Sequence, residues 1–124
     1  MIKFRAWYMP FGKYGAMQEM VYSRASHILA LAETEPEKYI PEQFTGLKDV
    51  NCDDIYENDI IVSRPTEPIL GSPKIGVVKL SKVSFSWCCE TENIEYNIWK
   101  TDRYRTYEVI GNVHANPELL EAEK

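Results

Sequence analysis

Long hydrophobic runs, paired cysteines and glycine-rich phosphate loops are all missing from this sequence of 124 residues. The longest apolar run covers residues 28–32, which is far too short to cross a bilayer. The first residues are not followed by the apolar core of a secretory signal peptide. We therefore expect a protein of the cytoplasm that does not enter a membrane.

The cysteines are few and badly placed for disulfides. Cys52 stands alone, Cys88 and Cys89 are adjacent, and no C-x-x-C pair exists, so a reducing compartment is the natural interpretation. Together with His27 or His114, the adjacent pair has the residue types of a thiol or metal site. Cysteines in an apolar strand are more often packed in a core, and that is the interpretation we favour.

Charge and motifs limit the possible functions. Lys and Arg number 14 and Asp and Glu 19, a formal net charge of −5, which argues against general phosphate binding and leaves a local basic patch possible. The sequence has no nucleophile elbow, zinc-ligand set or dinucleotide fingerprint. These absences favour a protein without catalytic activity or cofactor, and leave an enzyme open.

Short β-rich segments separated by proline and glycine predict a mainly β protein. Residues 2–7 alternate, which predicts a half-buried strand with Ile2, Phe4 and Ala6 on its inner face. Helical spacing predicts one short helix at residues 23–33, capped by Ser23 or Ser26. The other strands are predicted at residues 18–22, within 44–55, and at 60–62, 75–80, 84–88, 94–99 and 107–113.

Several turn and end signals complete the prediction. Pro36 and Pro41 predict a loop, which could open with a further helical turn. Asn51 is expected to adopt a positive φ in a turn, and residues 116–120 form a short C-terminal helix. With the last four strands in a meander, the fold is a small barrel of SH3-like type or a strongly bent sheet, with two short helices.

Three stretches of the chain together resemble one family. They are residues 1–7, residues 43–49 continuing to 55–62, and residues 107–113 continuing to 116–120, with Gly76-Val77-Val78 ahead of the last strands. In this order the chain resembles the YopX family, small proteins encoded by phages and prophages, chiefly of Gram-positive bacteria. The likeness covers nearly the whole chain, so we expect a single domain over residues 1–124.

The resemblance implies a mainly β fold of barrel type, and it implies no activity. The family pattern has Gly at the positions of Cys52 and Asn58, Asp at Tyr8, and Tyr at His114. Asn tolerates a positive φ, so the change at Asn58 is mild. Cys52 indicates a different turn.

An acidic segment, residues 49–59, raises the question of a cation. Asp49, Asn51 and Asp53 match the first, third and fifth ligands of a calcium loop. Asp54 stands where such a loop needs Gly, and Ile60 where it needs Glu, so an EF-hand is rejected. A weaker oxygen-rich site remains possible, but we favour a solvated acidic turn and assign no metal ligand.

A basic and aromatic segment, residues 96–107, is the candidate nucleic-acid site. Alternating aromatic and basic side chains can stack bases and neutralise phosphates. The candidate residues are Trp99, Lys100, Arg103, Tyr104 and Arg105, with Lys3, Arg5 and Lys13 as further basic residues near the N-terminus. We favour the alternative that these aromatics are core or cross-strand residues and that the charges are solvated.

Three functions therefore remain. The first is a non-enzymatic interaction protein of phage or prophage origin, which binds an unknown protein or a second copy of itself in the host cytoplasm through a barrel surface or sheet edge. The second is a nucleic-acid-associated protein that uses the basic and aromatic segment. The third is an enzyme centred on the acidic segment.

Overall fold

The computed structural model describes residues 3–12, 14–67, 69, 71–82, 86–91, 94–98 and 105–121. The chain forms two compact units, Met1–Phe44 and Thr45–Lys124. Within the described residues it has nine strands and two α-helices. None of the described helices is long and apolar enough to span a membrane.

The first unit is built around a central strand. It contains β1 (Phe4–Tyr8), β2 (Glu19–Ser23), helix α1 (Ala25–Thr34) and the first part of β3 (Tyr39–Lys48). β1 pairs antiparallel with both neighbours, so that Ala6 lies opposite Val21 on one side and Pro41 on the other. Helix α1 contacts β1, and its fully buried residue is Ile28. This arrangement leaves β2 at the end of the described sheet.

The prediction for β1 is right in position and wrong in its alternation. Arg5, Ala6 and Trp7 are all buried, so both faces of the strand are covered. A buried arginine is possible here because its Nε atom lies 2.8 Å from Oε1 of Glu42, directly opposite on β3. A strand covered on both faces has no polar face, which is why period-two reasoning fails.

Strand β3 and the start of helix α1 also differ from prediction. The predicted loop around Pro41 is strand, because proline is tolerated where its missing N–H is not needed for pairing. The residue at the N-cap of α1 is Arg24, with no side-chain cap, whereas Ser23 Oγ lies 2.8 Å from His27 Nδ1. The helix ends at Thr34, and the N–H of the C-cap residue Glu35 donates to the carbonyl of Leu31 at 2.9 Å.

The second unit is a half-barrel sheet with one short helix. β3 continues into it and pairs with β4 (Asp54–Tyr56). A five-stranded antiparallel sheet has the order β8-β7-β6-β5-β9. Its strands and the final helix are β5 (Asp59–Pro65), β6 (Lys74–Leu80), β7 (Trp87–Thr91), β8 (Ile94–Asn97), β9 (Arg105–Asn112) and α2 (Glu118–Glu121).

The predicted meander of the last four strands is correct only from β6 to β8. β9 returns to the other edge of the sheet and pairs with β5, with a register shift between Ile60 and Ile61. Local sequence patterns find strands but do not encode their spatial order, so this return was missed. The fold class itself, mainly β with a bent sheet and two short helices, is confirmed.

The core of the second unit is a cluster of branched apolar side chains. It contains Ile55, Ile61, Val78, Cys89 and Ile98. Leu47, Trp87, Tyr107 and Val109 pack against the cluster. A Cβ atom at Gly76 would lie 2.5 Å from Cys89 Sγ, so only glycine lets β6 approach β7 this closely.

Candidate functional site

Backbone hydrogen bonds, within the loop and to Lys38 outside it, hold the loop that joins β1 to β2. Met9 N–H donates to the carbonyl of Lys38 at 2.6 Å, and Gly12 N–H donates to the carbonyl of Met9 at 3.1 Å. Gly15 N–H in turn donates to the carbonyl of Gly12 at 3.1 Å. Gly12 (φ 90°) and Met17 (φ 61°) both adopt the left-handed conformation. These bonds give the loop a defined shape.

Gln18 fixes the end of this loop to a buried tryptophan. Its side-chain Oε1 accepts a hydrogen bond from Trp7 Nε1 at 2.9 Å. Its Nε2 donates to the carbonyl of Gly15 at 2.9 Å. Because Trp7 is buried in β1, this amide links the exposed loop to a rigid strand.

An open groove of about 350 Å³ lies along the loop, and we call it the loop groove. It is lined by Tyr8, Pro10, Phe11, Met17, Gln18 and Glu19. Phe11 and Met17 remain 69% and 76% exposed, and Tyr14 on the same loop is 93% exposed. Large apolar side chains held in the open by an ordered loop are typical of an interaction site.

One tyrosine of the groove lining, Tyr8, contacts a tyrosine of β3. The rings of Tyr8 and Tyr39 stack with centroids 4.7 Å apart and an interplanar angle of 21°. Burial and the neighbouring Tyr8 raise the pKa of Tyr39 above its usual value, so its phenol stays neutral. Among the described residues that line the groove, Tyr8 and Phe11 are aromatic and Glu19 is the charged one.

The candidate nucleic-acid residues lie mostly outside the described residues. Trp99, Lys100, Arg103 and Tyr104 are not described, and Arg105 lies on β9. The Arg105 guanidinium donates to Ser63 Oγ at 2.5 Å and to the carbonyl oxygens of Ser63 and Ser72 at 2.8 and 3.0 Å. This arginine holds the chain after β5 against β9.

Two of the three basic residues near the N-terminus, Lys3 and Arg5, make contacts within the fold. Arg5 is buried in its ion pair with Glu42. Lys3 Nζ lies 4.5 Å from the centre of the Phe44 ring, a cation–π contact. Lys13 lies outside the described residues. An arginine buried in this way does not face a phosphate backbone.

Asp49 in the acidic segment is a structural residue. It is buried, and its Oδ1 accepts the N–H groups of Asn51 and Asp53, each at 2.9 Å. Its Oδ2 accepts the N–H of Val109 on β9 at 2.9 Å. Three backbone N–H groups therefore donate to the two oxygens of this carboxylate. The described residues contain no group of three or more metal-ligating side chains.

Two turns in the same region adopt positive φ angles. Asn58 (φ 68°) does so as predicted, and its side chain accepts a hydrogen bond from Lys79 Nζ at 2.8 Å. In the other turn the residue with positive φ is Cys52 (φ 65°), so the prediction for Asn51 is wrong. Cys52 therefore occupies a conformation that favours glycine, the residue that the family pattern has there.

Both of the adjacent cysteines are packed in the interior of the second unit. Cys89 belongs to the apolar core, and burial raises the pKa of its thiol to about 11. Cys88 is also buried, and its thiol donates to the carbonyl of Lys79 at 3.3 Å. A neutral, enclosed thiol is a poor nucleophile at neutral pH.

Sequence reasoning missed the loop groove. Proline and glycine marked residues 10–15 as a turn, but three large apolar residues, Phe11, Tyr14 and Met17, occur within or beside that turn. Apolar side chains in a turn-rich loop between two strands were the available signal, since such loops are normally polar.

The described residues thus define a small, mainly β protein with an ordered apolar loop on its surface. A family model for YopX protein matches residues 3–121, and the chain belongs to the YopX family.

Comparison with solved structures supports the fold. The chain is similar to the crystal structure of protein EF1440 from Enterococcus faecalis, with a TM-score of 0.56 and 22% sequence identity. The alignment covers 97% of this chain and 98% of that one. At this identity the likeness concerns the fold alone. No curated protein matches the chain significantly.

Proposed function

We propose that this chain is a non-enzymatic interaction protein of phage or prophage origin, which binds another protein in the cytoplasm of its bacterial host. The loop groove and the neighbouring strand β2 form the binding surface. The observation that supports this proposal is the exposure of Phe11 and Met17 on a loop anchored through Gln18 to buried Trp7.

The exposed side chains of Phe11 and Met17 suit binding because hydrogen bonds already fix the loop that carries them. A mobile apolar loop would lose conformational entropy on binding, whereas a loop already fixed by hydrogen bonds loses less. Exposed aromatic and methionine side chains are also enriched at protein interfaces. The groove is open and largely apolar, which suits a side chain of a partner better than a charged metabolite.

The phage origin and the cytoplasmic location have a different basis. The chain belongs to the YopX family. The resemblance of its motifs to that family, small proteins encoded by phages and prophages, is what supports the phage origin and the location in a host cell. The two free cysteines buried in the second unit are consistent with a reducing compartment.

Affinity capture with matched variants tests the binding surface. The double variant Phe11→Ser/Met17→Ser removes two exposed apolar side chains from the loop groove. The control Val50→Ser/Ile69→Ser removes two from the second unit, where Val50 and Ile69 are also exposed. We expect the wild type and the control to retain the same bacterial proteins, and the groove variant to lose them. Equal retention by all three would contradict the proposal.

The nucleic-acid alternative rests on the sequence of residues 96–107 alone. Fluorescence anisotropy with labelled DNA and RNA at two salt concentrations tests it. Binding that weakens steeply with salt and is lost in Arg103→Ala would replace the protein-partner proposal. We expect no binding at either salt concentration.

A further inference from the structure

Glu19 brings a negative charge into the largely apolar lining of the loop groove. It is the first residue of β2, and its side chain is exposed. None of the other described residues forms an ion pair or hydrogen bond with its carboxylate. Water therefore solvates this charge in the free protein, and anything that fills the groove has to replace that water.

The register of the sheet places Glu19 beside two tyrosines. Glu19 lies opposite Tyr8 on β1, and Tyr8 lies opposite Tyr39 on β3. Residues opposite each other on antiparallel strands share a face of the sheet, with Cβ atoms about 5 Å apart. Because β1 lies between β2 and β3, Glu19 and Tyr39 lie on opposite sides of Tyr8. A cation that pairs with Glu19 is therefore also close to the ring of Tyr8, whose face attracts positive charge.

The charge of Glu19 limits what the groove can bind. An acidic segment would bring like charges together, on a chain whose formal net charge is already −5. A wholly apolar segment would strip water from the carboxylate and offer it no partner, which costs free energy. A segment with a cation replaces the lost water by a charge-assisted hydrogen bond. Charge complementarity thus selects an occupant that is both basic and partly apolar.

We infer that the loop groove binds an arginine side chain of the partner protein. The inference deepens the proposed function and rests on it, since both use the same groove. The hydrocarbon stem of the arginine lies along Phe11 and Met17, which are 69% and 76% exposed. Its guanidinium donates to the carboxylate of Glu19 beside the ring of Tyr8. Arginine suits this site better than lysine, because its planar cation can form two parallel hydrogen bonds with a carboxylate and stack on an aromatic ring.

The size and shape of the groove agree with a single side chain. Its volume of about 350 Å³ is near the lower end of the range of roughly 300–1,000 Å³ found for small-molecule sites. The groove is open, so the main chain of a partner can cross it while one side chain enters. Arginine is also among the residues that contribute most to binding at protein interfaces.

Selection from a displayed library of random dodecapeptides identifies the chemistry that the groove binds. The wild type and Phe11→Ser/Met17→Ser serve as baits, and circular dichroism shows that both are folded. Peptides that bind the wild type and not the variant are called groove-dependent peptides. We expect each of them to contain an arginine whose replacement by alanine or lysine weakens binding.

Charge changes at Glu19 test the ion pair, with one groove-dependent peptide titrated by fluorescence anisotropy. Glu19→Gln should weaken binding about fivefold or more, and replacing the arginine of the peptide by citrulline, its neutral isostere, should weaken it as much. The two changes together should cost little more than either alone, because both remove the same interaction. Glu33→Gln is the matched control, since it removes the same charge from an exposed position of helix α1, and it should bind as the wild type does.

The outcomes separate this inference from the proposed function. Groove-dependent peptides that need no arginine, or equal affinities of the wild type and Glu19→Gln, overturn the arginine site. In either case the loop groove still stands as a protein-binding surface. A library that yields no groove-dependent peptide overturns both the arginine site and the proposed binding surface.

Discussion

The two units of this chain differ in how they satisfy their buried charges and in where their exposed apolar side chains lie. The first unit buries a charged pair, Arg5 and Glu42, and exposes large apolar side chains on its loop groove. The second unit buries a cluster of branched apolar residues and satisfies its buried acid Asp49 with backbone N–H groups. Both units bury some apolar residues and expose others, such as buried Ile28 in the first and exposed Ile69 in the second. What distinguishes the first unit is that its exposed apolar side chains Phe11 and Met17 lie together along one groove.

The buried ion pair of the first unit and the buried carboxylate of the second also differ in how they contribute to the free energy of folding. A buried ion pair has to recover the cost of removing two charges from water, so its net contribution is small although breaking it is expensive. A carboxylate that accepts backbone N–H bonds fixes the loop around it and the strand beside it. The following changes test this contrast, from the largest expected effect to the smallest.

Glu42→Ala leaves Arg5 buried without its carboxylate. We expect the free energy of unfolding to fall by about 3–5 kcal/mol, the usual cost of isolating a buried charge. Urea denaturation followed by circular dichroism measures it. Arg5→Met/Glu42→Leu should recover most of the loss. As the control, Asp54→Ala removes the partner of solvent-exposed Lys48, and it should cost less than about 1 kcal/mol. A cost for Glu42→Ala as small as the control's would show that the pair is not isolated from water.

Asp49→Ala removes the acceptor of three backbone N–H groups in the second unit. We expect a loss of about 2–3 kcal/mol, because buried donors are left without an acceptor and the loop at residues 49–53 loses its tie to β9. Asp53→Ala is the matched control on the same loop, where the carboxylate is exposed. Chemical denaturation of both variants gives the comparison, and equal losses would contradict the role assigned to Asp49.

Alkaline pH should weaken the second unit through Cys89. Its thiol has a pKa of about 11 in the fold against an ordinary value of 9.0, so below pH 9 it is protonated in both states and adds no pH dependence. Above pH 9 the unfolded state loses this proton first, and the free energy of unfolding falls by about 2 kcal/mol as the pH approaches 11. Denaturation across this range should show a shallower decline for Cys89→Ala than for the wild type. An equal decline in the free energy of unfolding for the wild type and Cys89→Ala would contradict the raised pKa of Cys89.

Cys52→Gly should stabilise the protein slightly. Cys52 has a φ of 65°, a conformation that glycine adopts without steric cost. We expect a gain of about 0.5–1 kcal/mol, reduced in part by the greater freedom of glycine in the unfolded chain. Cys52→Val, with a branched side chain at the same φ, should destabilise instead. Thermal denaturation should give a higher melting temperature than the wild type for Cys52→Gly and a lower one for Cys52→Val.

Most strands and helices of both units could be predicted from sequence, but contacts between distant residues could not. The β-branched residues 60–62 and the apolar residues 75–80 form β5 and β6 because their pattern depends on local preference. Arg5 looked solvent-exposed because its partner Glu42 is 37 residues away, and no local pattern connects the two. The loop groove depends on Gln18 bonding to Trp7, a tertiary contact that residue spacing does not reveal.

Hydrogen exchange of the protein in complex with its captured bacterial partner tests the central claim, that the first unit carries the binding surface. Amides are compared in the free and bound protein, peptide by peptide. We expect slower exchange on binding in peptides that contain the groove lining and β2, at residues 9–12 and 14–23, and unchanged exchange at residues 49–53. Protection confined to the second unit, with residues 9–23 exchanging as fast as in the free protein, would contradict it.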